Sequence, residues 1–335
     1  MIKRTMRQVA DMCITLLIIT VVPVSCAEPV TYATHPEASV FIDEMVKQHG
    51  FDRKSLQAIF NEAVFKEKII KLMEAPAEAK PWKDYRPILV TEQRTKQGLE
   101  FMQEHSVALN RAESIYGVPA EIIVAIIGVE TRYGRVTGSN RVIDALTTLA
   151  FDYPRRAEYF RKELKEFLML ARDEKVDPLS LKGSYAGAMG YGQFMPSSFR
   201  AYAVDFDGDG HKDIWNNPVD AIGSVANYFH EHGWQKNEPV TERALVDGKE
   251  YEPLLVKKRS DLTPTRSVAE LIAAGFKPQQ ALAPEQPATA MRFAGAAGDE
   301  HWIGLNNFYV ITRYNHSALY AMAVYQLSQE IAGRT

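Results

Sequence analysis

A single carboxylate closes the most apolar helical stretch of this sequence. Glu130 ends the run Glu121-Ile-Ile-Val-Ala-Ile-Ile-Gly-Val-Glu130, and Thr131-Arg-Tyr-Gly134 then breaks the pattern. Burial among apolar side chains disfavours the ionised form of a carboxylate and raises its pKa, as a general acid near neutral pH requires. The run therefore indicates an acid catalyst at Glu130, with a surface glutamate in the last turn of a buried helix as the alternative.

Alternating aspartates further along the chain are typical of a calcium-binding loop. Asp205, Asp207 and Asp209 stand at positions 1, 3 and 5 of such a loop, and Gly210 at position 6 permits its sharp turn. Alternate carboxylates can converge on a hard cation, and without a cation they would repel one another. The motif predicts a Ca²⁺ site, with an Asp/Gly-rich surface turn as the alternative.

The remaining ligands of this loop are less regular. His211, at position 7, would contribute its backbone carbonyl, so its imidazole need not be a ligand. Asp213 falls at position 9, and position 12 holds Asn216 in place of the usual bidentate glutamate. Asp220, at the start of the next helix, could close a longer loop. Asp213, Asn216 and Asp220 all stay open as the final ligand. The predicted ligand set is Asp205, Asp207, Asp209, His211 and Asp220.

Length and charge limit the function classes. The 335 residues suffice for two or three structural units with a sizeable core. The net charge of −3 favours neither nucleic acid nor electrostatic membrane binding. We therefore expect no nucleic-acid partner, and we expect a monomer.

The first 27 residues predict an export signal. Three basic side chains among the first seven residues precede the apolar run 14–24, and small residues follow it. That run is too short to span a bilayer as a helix, which takes about 20 residues. We therefore expect the mature protein outside the cytoplasm, in the periplasm.

Both cysteines lie in this predicted signal, Cys13 within it and Cys26 at its end. A mature domain that starts after Ala27 therefore contains no disulfide. Ser25-x-Ala27 suits ordinary signal cleavage, whereas Val24-Ser25-Cys26 resembles a lipoprotein attachment site. The periplasmic protein would accordingly be soluble, or an outer-membrane lipoprotein tethered through Cys26.

The spacing of apolar residues predicts a mainly α, α+β chain. After a linker at 28–37, helical periodicity covers a helical domain at 38–110 and a second helical unit at 111–235. One helix is predicted from about Thr91 to Tyr116, ending at Gly117. The two helical units precede a segment of different composition.

That segment, 236–304, predicts a small β-rich domain. Short β-type pieces at 239–246, 251–257 and 289–293 alternate with Pro-rich connections and one helical piece. Residues 305–335 return the chain to the core. Within them we predict an extended segment over Asn307–Tyr314 and a final helix over Ser317–Ile331, with Ser317 as N-cap, which joins the first helical domain.

Five ordered sequence blocks carry a family resemblance. They are Gly128–Gly134, the glycine-rich segment Ser184–Ser198, the Asp205–Asp213 loop, Pro218–Phe229 and Asn307–His316. Together these blocks resemble the membrane-bound lytic murein transglycosylase B family, and the match covers about residues 38–335. The resemblance implies a lysozyme-like core at 111–235, with the calcium loop inside it, and peptidoglycan glycan strands as substrate.

The same resemblance implies residue roles. Glu130 would be the single catalytic acid/base, and the Ca²⁺ would be structural, with no cofactor for catalysis. Side chains from three of the blocks would line the cleft or contact sugar. These are Ser184, Gln193, Tyr228, Tyr314 and Asn315.

The inventory of acids agrees with this reaction. Most glycosidases use two carboxylates, but the next acids after Glu130, Asp144 and Asp152, are more simply interpreted as helix-surface or capping residues. A lytic transglycosylase needs only one, because the 6-hydroxyl of N-acetylmuramic acid attacks its own anomeric carbon and forms a 1,6-anhydro ring. The alternatives are a hydrolysing muramidase on the same fold and a non-catalytic, calcium-stabilised wall-binding protein.

Overall fold

The computed structural model describes residues 32–74, 80–257 and 262–334. The predicted export signal, with Cys13 and Cys26, lies outside the described residues. Within them, helices dominate. Their bounds are α1 Pro36–His49, α2 Arg53–Glu62, α3 Glu67–Glu74, α4 Trp82–Leu89, α5 Glu92–Glu104, α6 Ser106–Tyr116, α7 Ala120–Thr131, α8 Val142–Phe151, α9 Ala157–Asp173, α10 Pro196–Tyr202, α11 Pro218–Glu231, α12 Val268–Ala273, α13 Asn306–Tyr314 and α14 Ala318–Ile331.

The strands form two antiparallel sheets. Their bounds are β1 Asn140–Arg141, β2 Lys182–Gly183, β3 Thr241–Val246, β4 Arg266–Ser267, β5 Phe276–Pro278, β6 Pro287–Gly295 and β7 Gly298–Gly304. β1 pairs with β2, and the other strands form one sheet in the order β4-β6-β7-β3-β5. The mainly helical α+β class predicted from the sequence is confirmed.

Helix α7 is the central helix of the core. Its residues from Ile122 to Gly128 are all buried, because α5, α6, α11 and α14 pack around it. No single helix in the described ranges is long and apolar enough to cross a membrane; α6 and α7 pass that test only as a pair bent by 114°. The apolar composition of α7 is thus accounted for by burial inside the protein.

The five-stranded sheet contributes to two cores. Met291, Phe293 and Trp302 pack into the main helical core, and the ring of Phe293 lies 5.6 Å from that of Trp82 in α4. Ala290 and Ile303 belong instead to a second, smaller core beneath α12. Alternate residues of a strand point to opposite faces. One face of the sheet therefore packs on the main helical core, and the opposite face is covered by α12.

Two predictions within the helical regions were wrong. Asn307–Tyr314, predicted as extended, is helical as part of α13; its β-branched and aromatic residues pack on α14 and β7, and this packing overrides their strand propensity. The single helix predicted from Thr91 to Tyr116 is divided at His105, whose backbone leaves the helical region. The division lets α5 pack on α14 while α6 packs on α11. Gly117 ends α6 in the left-handed region, as predicted.

The predicted β pieces were only partly right. Strands occupy 241–246 and 287–295, but the segment predicted at 251–257 contains a short 3-10 helix, Glu252–Leu254, followed by an isolated bridge from Leu255 to Ala290. The final helix begins as predicted, because the Ser317 hydroxyl accepts the Tyr320 N–H.

Candidate active site and acidic loop

Glu130 lies in the last turn of α7 and is half-buried. The hydroxyl of Tyr320, in α14, donates a hydrogen bond to Glu130 Oε1 at 2.6 Å. Burial raises the pKa of Glu130 to about 7, and the hydrogen bond from Tyr320 lowers it by a smaller amount. A carboxyl group with a pKa near 7 can both donate and accept a proton at neutral pH.

Phenol groups lie around this carboxylate. Burial raises the pKa values of Tyr314, Tyr320 and Tyr85, and the negative charge of Glu130 raises them further. Among the described residues, no acidic side chain perturbs the pKa of Glu130. The site therefore offers one ionisable carboxyl group among neutral hydroxyls.

A left-handed turn holds the end of α7. Arg132 and Tyr133 both have positive φ, 50° and 60°, a conformation that costs energy for residues with a side chain. The Tyr133 hydroxyl donates to the backbone carbonyl of Arg94 at 2.8 Å. A Cβ built on Gly128 would lie 2.5 Å from the Tyr133 hydroxyl oxygen. The absence of a side chain at Gly128 thus lets the Tyr133 ring pack back against α7 and fix the turn that follows Glu130.

The glycine-rich segment is tied to the end of α7 by hydrogen bonds. Thr131 Oγ1 donates to the Tyr191 carbonyl at 2.9 Å. Gln193 has φ of 50°, and its Nε2 donates to the carbonyls of Thr137 at 3.1 Å and Gly190 at 3.0 Å. The Tyr314 hydroxyl donates to the Gly192 carbonyl at 2.6 Å. Tyr314 therefore links this segment to the surroundings of Glu130.

The other predicted sugar contacts have different surroundings. Ser184 Oγ accepts N–H bonds within its own loop, from Ala188 at 3.0 Å. Tyr228 is buried, and its hydroxyl donates to the Arg313 carbonyl at 2.7 Å. Its ring stacks on His232 at 4.0 Å and meets the edge of Tyr314 at 4.7 Å.

The Tyr228 ring therefore packs against the Tyr314 ring, and its hydroxyl group is already bonded to the Arg313 carbonyl. Asn315, at the end of α13, is exposed.

Three carboxylates converge in the acidic loop. Oxygens of Asp205, Asp207 and Asp209 lie within 4.8 Å of one another. Although partial desolvation opposes it, hydrogen bonds from the backbone N–H groups of residues 210, 208 and 209 lower the pKa of Asp205. Ionised oxygen ligands of this kind fit a hard cation such as Ca²⁺.

The remaining predicted ligands lie apart from this cluster. Asp220 is fully buried and accepts the N–H groups of Phe206 at 2.7 Å and Asp213 at 2.8 Å. Asp220 thus closes the loop through hydrogen bonds. His211 is exposed and donates its backbone N–H to Asp209 at 2.8 Å. Asp213 Oδ1 accepts the N–H groups of residues 215 and 216.

Sequence reasoning missed the partner of Glu130 and misread one acid. Tyr320 lies 190 residues from Glu130, and no local signal distinguishes it from Tyr325, the other tyrosine of α14. Asp144, interpreted as a surface or capping residue, is buried, pairs with Arg141 and accepts the Val64 N–H at 3.0 Å. Asp152 accepts the Tyr32 hydroxyl at 2.6 Å. Both acids therefore attach the N-terminal helices to the core.

Comparison with known proteins identifies the family. Residues 33–329 match the model of the transglycosylase SLT domain. The chain belongs to this transglycosylase family. It is also 51% identical over 311 residues to membrane-bound lytic murein transglycosylase B of Escherichia coli (strain K12). The aligned region covers 90% of this chain and 84% of that relative. The resemblance inferred from the sequence blocks is confirmed.

Solved structures of other members share the fold. The catenated lytic transglycosylase SltB1 from Pseudomonas aeruginosa has a TM-score of 0.87 and 56% identity, covering 91% of this chain and 100% of that one. The Escherichia coli lytic transglycosylase Slt35 in complex with calcium has a TM-score of 0.83 and 50% identity, covering 94% and 99%.

Proposed function

We propose that this lytic transglycosylase cleaves the β-1,4 bond between N-acetylmuramic acid and N-acetylglucosamine in peptidoglycan and leaves a 1,6-anhydro-N-acetylmuramic acid end. Its family membership carries the reaction class. The observation that supports the detailed mechanism is Glu130, a single carboxyl group whose pKa burial raises to about 7. The same observation opposes a non-catalytic wall-binding protein, in which such a costly burial would have no use.

Glu130 acts first as an acid and then as a base. In its protonated form it donates its proton to the glycosidic oxygen, and the N-acetylglucosamine portion leaves as an alcohol. The resulting carboxylate takes the proton of the 6-hydroxyl group of N-acetylmuramic acid as that oxygen bonds to the anomeric carbon. The proton given in the first step is thus recovered in the second, and water is not consumed. Tyr320 holds the Oε1 atom of Glu130 in both steps.

The competing hydrolytic reaction differs only in its nucleophile. An inverting or retaining glycosidase would use a second carboxylate, to activate water or to attack the sugar. The described surroundings of Glu130 supply tyrosines in that place. We therefore favour internal attack by the 6-hydroxyl over attack by water.

Residues of the glycine-rich segment and α13 would position the sugar. The side chains of Gln193 and Tyr314 donate hydrogen bonds to the carbonyls of Gly190 and Gly192 in the same loop. These hydrogen bonds would hold the loop in place where it contacts the sugar. We propose that Ser184 and Asn315 add hydrogen bonds at the edges. Tyr228 would act through Tyr314, whose ring it supports. Such positioning is worth several kcal/mol when a reacting hydroxyl must be aligned.

We propose that the acidic loop holds a structural Ca²⁺ through Asp205, Asp207 and Asp209, with the His211 backbone carbonyl as a further ligand. The convergence of three carboxylates supports this proposal, and the relative solved with calcium agrees with it. Asp220 would hold the loop from beneath by its hydrogen bonds to backbone N–H groups.

We propose a periplasmic location, with the mature protein either soluble or tethered through Cys26, and a monomeric state. Fractionation of cells that express the native protein and a Cys26→Ala variant separates the two forms. A tether predicts release of the variant only, ordinary cleavage predicts that both are soluble, and cytoplasmic retention of both would contradict export.

Mass spectrometry of the products from purified peptidoglycan tests the reaction. Internal attack gives anhydro-muropeptides, which are lighter by one water than the products of hydrolysis. A product mixture with reducing N-acetylmuramic acid ends alone would identify a muramidase. Absence of any cleavage by the folded protein would favour the wall-binding alternative.

A further inference from the structure

A cavity of about 560 Å³ lies where the five-stranded sheet meets α4 and α14. Tyr325, Gln326 and Gln329 of α14 form one wall, and Trp302 and Gln280 lie on the side of the sheet. The cavity opens on another side of α14 from the candidate active site, because the Tyr320 side chain contacts Glu130 and the nearest lining residue of α14, Tyr325, follows it by five residues. At 3.6 residues per turn, that spacing turns the Tyr325 side chain by about 140° around the helix axis from that of Tyr320.

The walls of this cavity, called the seam cavity below, carry unused hydrogen-bonding groups. Within the described ranges, the Tyr325 hydroxyl and the Gln280 side-chain amide have no hydrogen-bond partner in the protein. Gln326 accepts from Arg86 through Oε1, so its NH₂ group can still donate. Gln329 makes only a 3.4 Å contact, from Nε2 to Ser328. The seam cavity therefore presents both donors and acceptors beside an aromatic ring.

The charges around the seam cavity are already paired. Each of its three arginines has a carboxylate neighbour, in the pairs Arg86–Glu330 at 2.9 Å, Arg334–Glu121 at 2.9 Å and Arg243–Glu300 at 4.0 Å. An anionic ligand would have to compete with these carboxylates, of which Glu300 lines the cavity, for the three guanidinium groups. The seam cavity is accordingly better matched to a neutral ligand that bears hydroxyl and amide groups.

We infer that the seam cavity binds an N-acetylated sugar unit of the same glycan strand, outside the cleft in which Glu130 acts. This inference rests on the peptidoglycan substrate proposed above. N-acetyl hexoses carry hydroxyl and amide groups on a ring with apolar faces, which suits the glutamine amides and the half-buried phenol of Tyr325. Because a strand held at two points gains from a high effective concentration, the second site would increase retention of long strands.

Binding to glycan strands freed of their stem peptides tests the inference. The parent is Glu130→Gln, which prevents cleavage during sedimentation. Adding Tyr325→Phe and Gln329→Ala removes two hydrogen-bonding groups, and we expect affinity to fall about tenfold. The matched control is Gln57→Ala, the loss of an exposed glutamine in α2, which should leave affinity unchanged.

A second measurement separates the seam cavity from the cleft. With Glu130 intact, the double variant should cleave a tetrasaccharide fragment at the wild-type rate, because that fragment occupies the cleft alone. Equal binding of stripped strands by parent and double variant would overturn the inference. A loss seen only on strands that keep their stem peptides would assign the seam cavity to peptide and overturn it too. If the wild type releases no anhydro product, the proposed reaction fails, while the strand-binding comparison still decides the seam cavity.

Discussion

The active-site helix and the acidic loop use the same functional group in opposite ways. Glu130 is placed among apolar side chains and phenols, and burial raises its pKa to about 7. Asp205 is placed among backbone N–H groups on an exposed loop, and these lower its pKa. One environment favours the protonated carboxyl group and the other favours the carboxylate, so the first suits proton transfer and the second suits a cation.

The neighbours of a carboxylate decide its role in this protein. Glu121, at the opposite end of α7 from Glu130, pairs with Arg334 at 2.9 Å. Two glutamates of one helix therefore differ in chemistry, because one faces a cation near solvent and the other faces tyrosines in the core.

Replacement of Glu130 by glutamine should abolish most activity. The amide keeps the shape of the side chain but cannot transfer the same proton, so turnover of peptidoglycan should fall by about 10²-fold or more. Glu121→Gln is the matched control in the same helix and should retain near-normal turnover. Comparable losses in both variants, measured as released muropeptides, would remove the distinction between the two glutamates.

The Glu130→Gln substitution should also stabilise the protein at alkaline pH. The folded state raises the pKa of Glu130 from 4.5 to about 7, so it binds the proton more tightly than the unfolded state. The wild type therefore loses stability relative to Glu130→Gln as pH rises from about 4.5 to 7. One pKa unit is about 1.4 kcal/mol, so the full difference should approach roughly 3 kcal/mol above pH 7. Urea unfolding at pH 4 and pH 8 measures it; a difference that does not depend on pH would contradict the raised pKa.

Removal of calcium should lower the melting temperature. A cation that binds only the native state stabilises it by about 2.7 kcal/mol at a hundred times its dissociation constant. We expect chelation to lower the melting temperature and calcium to restore it better than magnesium does. Asp207→Asn should reduce this response. The control is Asp247→Asn, which replaces an exposed aspartate of the small β-rich domain paired with Lys277 and should leave the response unchanged. An unchanged melting curve after thorough chelation would count against the site.

Removal of the Tyr320 hydroxyl should shift the pH profile of activity. Its hydrogen bond lowers the pKa of Glu130, so Tyr320→Phe should raise that pKa further. The alkaline limb of the rate profile, where the acid becomes deprotonated, should move to higher pH. Tyr325→Phe, five residues further along α14, is the control and should leave the limb in place. A fall in rate with no displacement of the limb would assign Tyr320 a packing role alone.

Local patterns predicted the buried helix that ends near Glu130 and the convergence of the aspartates from Asp205, for a physical reason. The apolar run before Glu130 and the alternating aspartates from Asp205 are short-range patterns, and burial or chelation acts directly on them. Ser317 and Gly117 were similarly found from the local chemistry of helix ends. In each case the information lies within a few residues of the feature it predicts.

Features that depend on distant packing could not be predicted in this way. The hydrogen bond from Tyr320 to Glu130 and the contact of Asp144 with Val64 join residues far apart in sequence. The helix α13 was mistaken for an extended segment because Val310, Ile311 and Thr312 favour strands locally. Their burial against neighbouring elements decides the conformation, and that burial is a property of the whole fold.

The sequence separation of 190 positions between Glu130 and Tyr320 has a consequence for the order of folding. Contacts of such long sequence separation form late, because loop closure must precede any stabilisation that they bring. While the chain is being made, α7 emerges long before α14, so the acid is synthesised well ahead of the residue that holds it. The enzyme therefore acquires its complete proton-transfer group only when α14 has docked, and a chain cut short before α14 would carry Glu130 without its partner.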